Sequence, residues 1–406
     1  MLNVECFRTF GIQHSTFNIQ HSMHIAVNAH LIAHTQSFRR AGISHYVEQT
    51  LAQLGEIDRL NQYDIYTTRG LDAAALGLPA NFRVRPSMLP TINPRVRIPW
   101  EQLIAPALLR ASGADIFHGV HSVVPLSCPV PSVVTIHDLA FIRFPQTFRG
   151  YNRAYLDFAT RMSARRAARI LVVSEHTKRE VVGILGVPAE RVVVTPNAAR
   201  AHFRPPQPAA LAAFRARHIL PERFVLYVGT LEPRKNLTTL LDAYAEVARR
   251  FPDVPLLVGG GKGWLYDAIF ERLDALGLRE KVTFVGYLDE DELPLWYAAA
   301  SVFAFPSIYE GFGMPPLEAM ACGTPVVTSN TSSLPEVVGD AGLMVDPRSA
   351  EALAAALARV LGDRDLHADL AARGLRQAAT FTWRTTAERT LRAYEQAVLT
   401  RPLATV

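Results

Sequence analysis

"SVFAFPSIYEGFGMPPLEAMACGTPVVTS", residues 301–329, holds one structural repeat and two candidate functional carboxylates. The apolar run SVFAF suits a buried strand, and TPVVTS suits a second one. Between them, Pro306 and the Pro315–Pro316 pair forbid a single helix through the segment, because proline lacks the amide that a helix interior needs. Proline is accepted in a first helical turn and glycine just past a last one, which predicts a helix from near Pro315 to just before Gly323. The segment therefore reads strand, loop, helix, strand, the unit of a parallel α/β sheet. Glu310 falls in the loop and Glu318 in the expected first turn of the helix. Gly311 and Gly313 leave backbone N–H groups unobstructed beside that helix start, a plausible phosphate cradle. A tight turn is the plain alternative for the glycines, and helix-dipole compensation for Glu318.

The same rhythm extends in both directions. RFVLYVGT, PLLVGGG and KVTFVGY precede the segment and GLMVD follows it; a separate earlier series comprises HIAVNA, YDIYTT, ADIFHG, SVVTIHD, RILVVS and RVVVTPN. Each series suffices for one doubly wound sheet. Between them NAARAHFRPPQPAA carries Pro205, Pro206 and Pro208, which places a linker near 198–208. Two Rossmann-like domains are expected, residues 23–200 and 201–382. An Ala/Leu/Arg-rich helical region runs from about Ser349 to Leu399, interrupted near 380–383, and no heptad persists long enough for a coiled coil.

Composition narrows the function classes. A chain of 406 residues, nearly half of them apolar, fits two cores better than one. It has no uninterrupted apolar run of bilayer-spanning length. Cys6, Cys128 and Cys322 stand singly, which fits a reducing cytoplasm rather than a disulfide framework or a zinc site. The net charge of +5 is spread over many segments, so phosphorylated small molecules suit it as well as nucleic acid, and no nucleic-acid recognition motif is present. Residues 1–22, where IQHS occurs twice, read as a disordered extension, with Met23 as a candidate natural start.

In open parallel sheets ligands sit beyond the carboxyl ends of strands, so the loops after each apolar run are where chemistry is expected. YVGTLEPRKNL brings Arg234 and Lys235 together just before a helix, where two cations suit a diphosphate. Gly42 lies between the first strand and a helix, and His137 and Asp138 end the strand VVTI. His118 and His121 also sit at a strand end, but nothing in their spacing supports a metal site. Asp289 and Asp291 have the spacing of a divalent-cation pair, yet they open a helix, where acidic residues are favoured anyway. VGGGKGW misses both dinucleotide and P-loop frames, although Gly260 within it could let backbone approach a ligand.

Together these segments resemble the retaining glycosyltransferases of family 4, on the GT-B fold of two Rossmann-like domains facing across a cleft. EGFGMPPLEAMACGTPVV is similar to the family's paired-glutamate motif, and GTLEPRKN resembles its mannosyltransferase-like branch. The resemblance implies a nucleotide diphosphate sugar as donor, GDP-mannose favoured, with no further cofactor and no metal. It assigns Arg234 and Lys235 to the diphosphate, Glu318 to the ribose, and Glu310 with His137 to the donor sugar. Gly42, Gly229, Thr230, Gly260, Gly311, Phe312, Gly313 and Met314 would complete the donor site. Many relatives have an arginine where this chain has Thr230, which shifts more of the diphosphate onto Arg234 and Lys235. Residues 383–406 would contain a helix crossing back onto the first domain.

The implied reaction is retaining hexosyl transfer, mannose first, to a glycan or lipid-linked glycan of polysaccharide or lipopolysaccharide assembly. RPSMLPTINPRVRIPW and YNRAYLDFATRMSARRAAR could give the first domain a basic, partly apolar face toward an anionic membrane, at the cytoplasmic surface. The alternatives are a sugar-nucleotide-binding protein without transfer activity and a glycoside hydrolase using Glu310 and Glu318 as its carboxylate pair.

Overall fold

In the computed structural model, which describes residues 22–32, 42–71, 76–147, 150–261, 263 and 265–400, the apolar runs form two wholly parallel sheets. The first has seven strands: β1 (His24–Asn28), β2 (Gln62–Thr67), β3 (Phe82–Pro86), β4 (Ile116–Gly119), β5 (Ser132–Ile136), β6 (Arg169–Val172) and β7 (Val192–Val194). They lie in the order β3-β2-β1-β4-β5-β6-β7. The second has six: β8 (Val225–Val228), β9 (Leu256–Gly259), β10 (Val282–Gly286), β11 (Val302–Phe305), β12 (Val326–Ser329) and β13 (Gly342–Val345), ordered β10-β9-β8-β11-β12-β13. Every residue of β5 and β12 is buried, as expected of strands covered by helices on both faces.

Each sheet reverses its strand order once, between β1 and β4 in the first and between β8 and β11 in the second. Connections leave in opposite directions there and open a crevice beyond the strand ends. Arg234 and Lys235 follow β8, and Glu310 follows β11, so the two halves of the charged site flank the second crevice.

Three details differ from the sequence reading. β3 was not expected: Arg83 and Arg85 interrupt its apolar residues and Pro86 ends it, a composition tolerated because the strand is an edge. The helix after Glu310 spans Met314–Ala321 and has no acidic residue in its first turn. Glu318 is its fifth residue and lies in the second turn, which removes dipole compensation as its explanation. The C-terminal helical region also breaks at Asp363, whose carboxylate caps the helix Arg364–Ala379 through the amide of Leu366 at 2.9 Å. Residues 1–21, Arg39 and Arg40, Lys262, Trp264 and 401–406 lie outside the described residues.

The last helix, Trp383–Leu399, packs on the helix Ile43–Ile57 and on β4 to β7. Ala387, Ala393, Tyr394 and Ala397 are buried. The Tyr394 hydroxyl lies 2.7 Å from Nδ1 of His118, and Arg389 donates to the carbonyl of Val194 at 2.9 Å. His118, whose other nitrogen meets Thr135 at 2.7 Å, is thus part of the seam between this helix and the first sheet.

Candidate functional site

Glu310 is fully engaged. Its Oε1 accepts from the Lys235 ammonium at 2.6 Å and from the Ser307 hydroxyl at 2.6 Å, and its Oε2 accepts from Arg234 at 3.1 Å. Arg234 also donates to Glu232 at 2.6 Å and to the Tyr309 carbonyl. Burial alone would push the Glu310 carboxyl up, but Lys235 and Arg234 hold it down at about 2, so it is ionised near neutral pH. Burial pulls the Lys235 ammonium below its ordinary value although Glu310 opposes this. Two cations and one carboxylate leave the cluster one positive charge in excess, before Glu232 is counted.

That cluster borders a cavity of about 410 Å³. Gly42, His137, Gly229, Thr230, Lys235, Gly260, Glu310, Gly311, Phe312, Gly313, Met314 and Glu318 all line it. Residues widely separated in the chain are therefore brought around one cavity by the two domains. Arg234 is the exception among the expected site residues: it does not line the cavity but sits behind Glu310, tied to Glu232 and Tyr309. Gly260 has a positive φ of 135°, and a Cβ there would lie 2.0 Å from the carbonyl oxygen of Gly229. Only glycine lets the loops after β8 and β9 close the cavity floor at that spacing.

The two glutamates share no hydrogen-bond partner among the described residues. Glu318 accepts from the Tyr297 hydroxyl at 3.3 Å, and burial raises its carboxyl to about 7, against the pull of Arg200 and His45. From the first domain, His137 places Nε2 2.9 Å from the Val120 carbonyl. A carbonyl only accepts, so Nε2 carries the proton and Nδ1 is left as an acceptor. Burial lowers the His137 pKa, which keeps the ring neutral.

Sequence reading missed an ionic triad lining the same cavity. Glu290, after β10, pairs with His45 of the helix Ile43–Ile57 and with Arg200 of the interdomain segment, the latter at 2.9 Å. Glu290 lies between the two aspartates that drew attention in the sequence, and Arg200 lies in the stretch read as linker. Asp289 itself accepts from the amide of Asp291 at 2.9 Å, a local turn. No group of three or more metal-ligating side chains occurs among the described residues.

Comparisons with known proteins bear on the family and the fold. Residues 211–377 match the family model "Glycosyl transferases group 1", and residues 40–203 match "Glycosyltransferase Family 4". Over 286 residues the chain is 37% identical to O-antigen chain mannosyltransferase B of Escherichia coli, covering 69% of this chain and 74% of that one. It is 36% identical over 225 residues to a GDP-mannose-dependent alpha-(1-6)-phosphatidylinositol monomannoside mannosyltransferase of Mycobacterium tuberculosis, covering 53% of this chain and 58% of that one. Sucrose-phosphate synthase of Thermosynechococcus elongatus superposes with a TM-score of 0.73 at 25% identity, over 92% of this chain and 98% of that structure.

Proposed function

The chain belongs to glycosyltransferase family 4, in its mannosyltransferase-like branch, and from that premise we propose that it transfers mannose from GDP-mannose to a glycan or lipid-linked glycan, with retention of configuration. The observation that carries this reading is the cluster of Lys235, Arg234 and Glu310 at the second crevice, from which Lys235 and Glu310 face the cavity. A nucleoside diphosphate leaves readily once its growing charge is met, and Lys235 with the amides around Gly311 to Gly313 supplies positive potential for that purpose. Glu310, ionised and acceptor-only, takes donor-sugar hydroxyls, as does Nδ1 of His137. Glu318 takes the ribose. A glycoside hydrolase would use Glu318, raised to about 7, as its acid and the ionised Glu310 as its partner; cleavage of a nucleotide-free glycoside by the purified chain would favour that reading, and strict dependence on a nucleoside diphosphate sugar would exclude it.

For the acceptor we propose a membrane-linked glycan reached at an anionic lipid surface. Fourteen large apolar residues are exposed among the described residues, and six of them, Met88, Leu89, Ile92, Leu103, Ile104 and Leu108, fall between 88 and 108. Arg83, Arg95 and Arg110 lie exposed around them in sequence, whereas Arg85 and Arg97 are ion-paired with Asp64 and Glu101. An apolar face rimmed by arginine suits the headgroup boundary of an anionic bilayer. Flotation with anionic vesicles at low salt tests it, and a chain that stays unbound sinks the membrane part alone.

The donor reading is tested by calorimetry and transfer assays across nucleoside diphosphate sugars, GDP-mannose first. Lys235→Ala should lower turnover by about 10²–10³. Unchanged turnover in that variant would overturn the assignment.

A further inference from the structure

The loop that carries Glu310 is held from both domains at once. From its own domain, Ser332 accepts from the Glu310 amide at 3.0 Å and Ser333 donates to the Glu310 carbonyl at 2.9 Å. From the first domain, the contacts fall on the residues either side. Ser174 and Thr177, in the first turn of the helix Glu175–Leu185 and its cap, donate to the Gly311 carbonyl at 2.7 and 3.1 Å. A Cβ on Gly311 would lie 2.1 Å from the carbonyl oxygen of His137, so the two loops meet without space for a side chain.

Tyr309 makes the longest reach. Its hydroxyl donates to Oε2 of Glu180 and accepts from the amide of Leu139 at 3.1 Å. Burial, with Asp138 and Glu180 alongside, keeps the phenol protonated and so fixes it as the donor toward Glu180. Oε1 of Glu180 is in turn held by Arg143 at 2.7 Å. Tyr309 and Glu180 are both buried, so a lost partner here is not replaced by bulk water. The backbone of the same tyrosine is an anchor for the charged cluster: its carbonyl accepts from Arg234, which also binds Glu310. Movement of residue 309 would therefore move Arg234 and the Glu310 carboxylate together.

We propose that Glu180, acting through Tyr309, is a positioning residue for Glu310, so that contact with the first domain sets the donor-sugar carboxylate in its working place. The proposal rests on the donor reading of Glu310 given above. It makes the donor-sugar site complete only while the two domains touch, and it links acceptor-domain contact to bond breaking. Lys235 and Glu318, the residues read as meeting diphosphate and ribose, make no hydrogen bond to Tyr309, so nucleotide binding does not pass through the link.

Tyr309→Phe tests this, because it deletes the hydroxyl and keeps the ring beside Phe144 and His176. The expected result is a fall of about tenfold in kcat, the effect of one hydrogen bond to a charged group. GDP affinity, measured by calorimetry, should stay at the wild-type value. Glu180→Ala should do the same, and the double variant should be no slower than the slower single one, as for two residues acting through one bond. Wild-type kcat in Tyr309→Phe, GDP affinity that falls in step with kcat, or additive losses in the double variant would each overturn the proposal. If the wild-type chain transfers from no nucleoside diphosphate sugar, the donor reading itself fails, a result distinct from all three.

Discussion

The ammonium of Lys235 lies 2.6 Å from Oε1 of Glu310, with the two side chains only 13% and 11% exposed. The carboxylate thereby occupies positive charge that a diphosphate would otherwise draw on. Glu310→Gln removes this competitor and keeps the shape, while turning one accepting oxygen into a donating amide nitrogen. Transfer should fall by about a hundredfold, yet nucleoside diphosphate should bind more tightly, not less. Initial rates and calorimetry on one preparation check both halves, and weaker binding would contradict the charge argument.

Glu318 sets a pH dependence of the opposite kind. Burial raises its carboxyl from 4.5 to about 7, so between those values the folded chain keeps a proton that the unfolded chain has released. Stability therefore falls as pH rises through that window, by on the order of 3 kcal/mol for this one group. Glu318→Gln should flatten the change in unfolding free energy between pH 5 and pH 8 in denaturant titrations. Nucleotide affinity should rise through pH 7 in the wild type, as the carboxylate forms beside Arg200 and His45, and should lose that rise in the variant.

Gly311→Ala is expected to part the domains rather than unfold either one. Its added carbon would meet the His137 carbonyl oxygen at 2.1 Å, and neither backbone has slack to yield. Turnover should drop by about a hundredfold, as for an ångström-scale misplacement of reacting groups. GDP binding should survive, and small-angle scattering should show a larger radius of gyration. An unchanged radius with lost binding would place the damage inside the second domain instead.

Tyr394→Phe probes the seam of the last helix. It leaves Nδ1 of the buried His118 without its partner at 2.7 Å. The expected loss is about 1–3 kcal/mol of stability, read by chemical denaturation, with donor affinity retained.

Twelve of the thirteen strands were legible as apolar or β-branched runs bounded by turn residues, most clearly the fully covered β5 and β12. β3 was not, since an edge strand can alternate Phe82 and Val84 with two arginines. Glu310, Glu318 and Lys235 were legible because the loops after strands carry ligands in such sheets. His45, Arg200 and Glu290 were not, because their triad forms only when distant segments of chain come together, and no local pattern encodes that. The same holds for Tyr309 and Glu180, 129 positions apart in sequence and hydrogen bonded in the fold. Helix ends were read to within a residue at Met314, yet that residue moved Glu318 from one turn to the next.

The helix Trp383–Leu399 gives the molecule a history as well as a shape. Domains tend to fold as they leave the ribosome, the N-terminal one first. Here the first domain emerges with His118 and the apolar flank of β4 to β7 uncovered, and the helix that covers them follows the second domain in sequence. The whole second domain must be synthesised in between. The first domain is therefore completed only after the second has been made, and nascent chains that stall before residue 383 would present a bare sheet face to the chaperones.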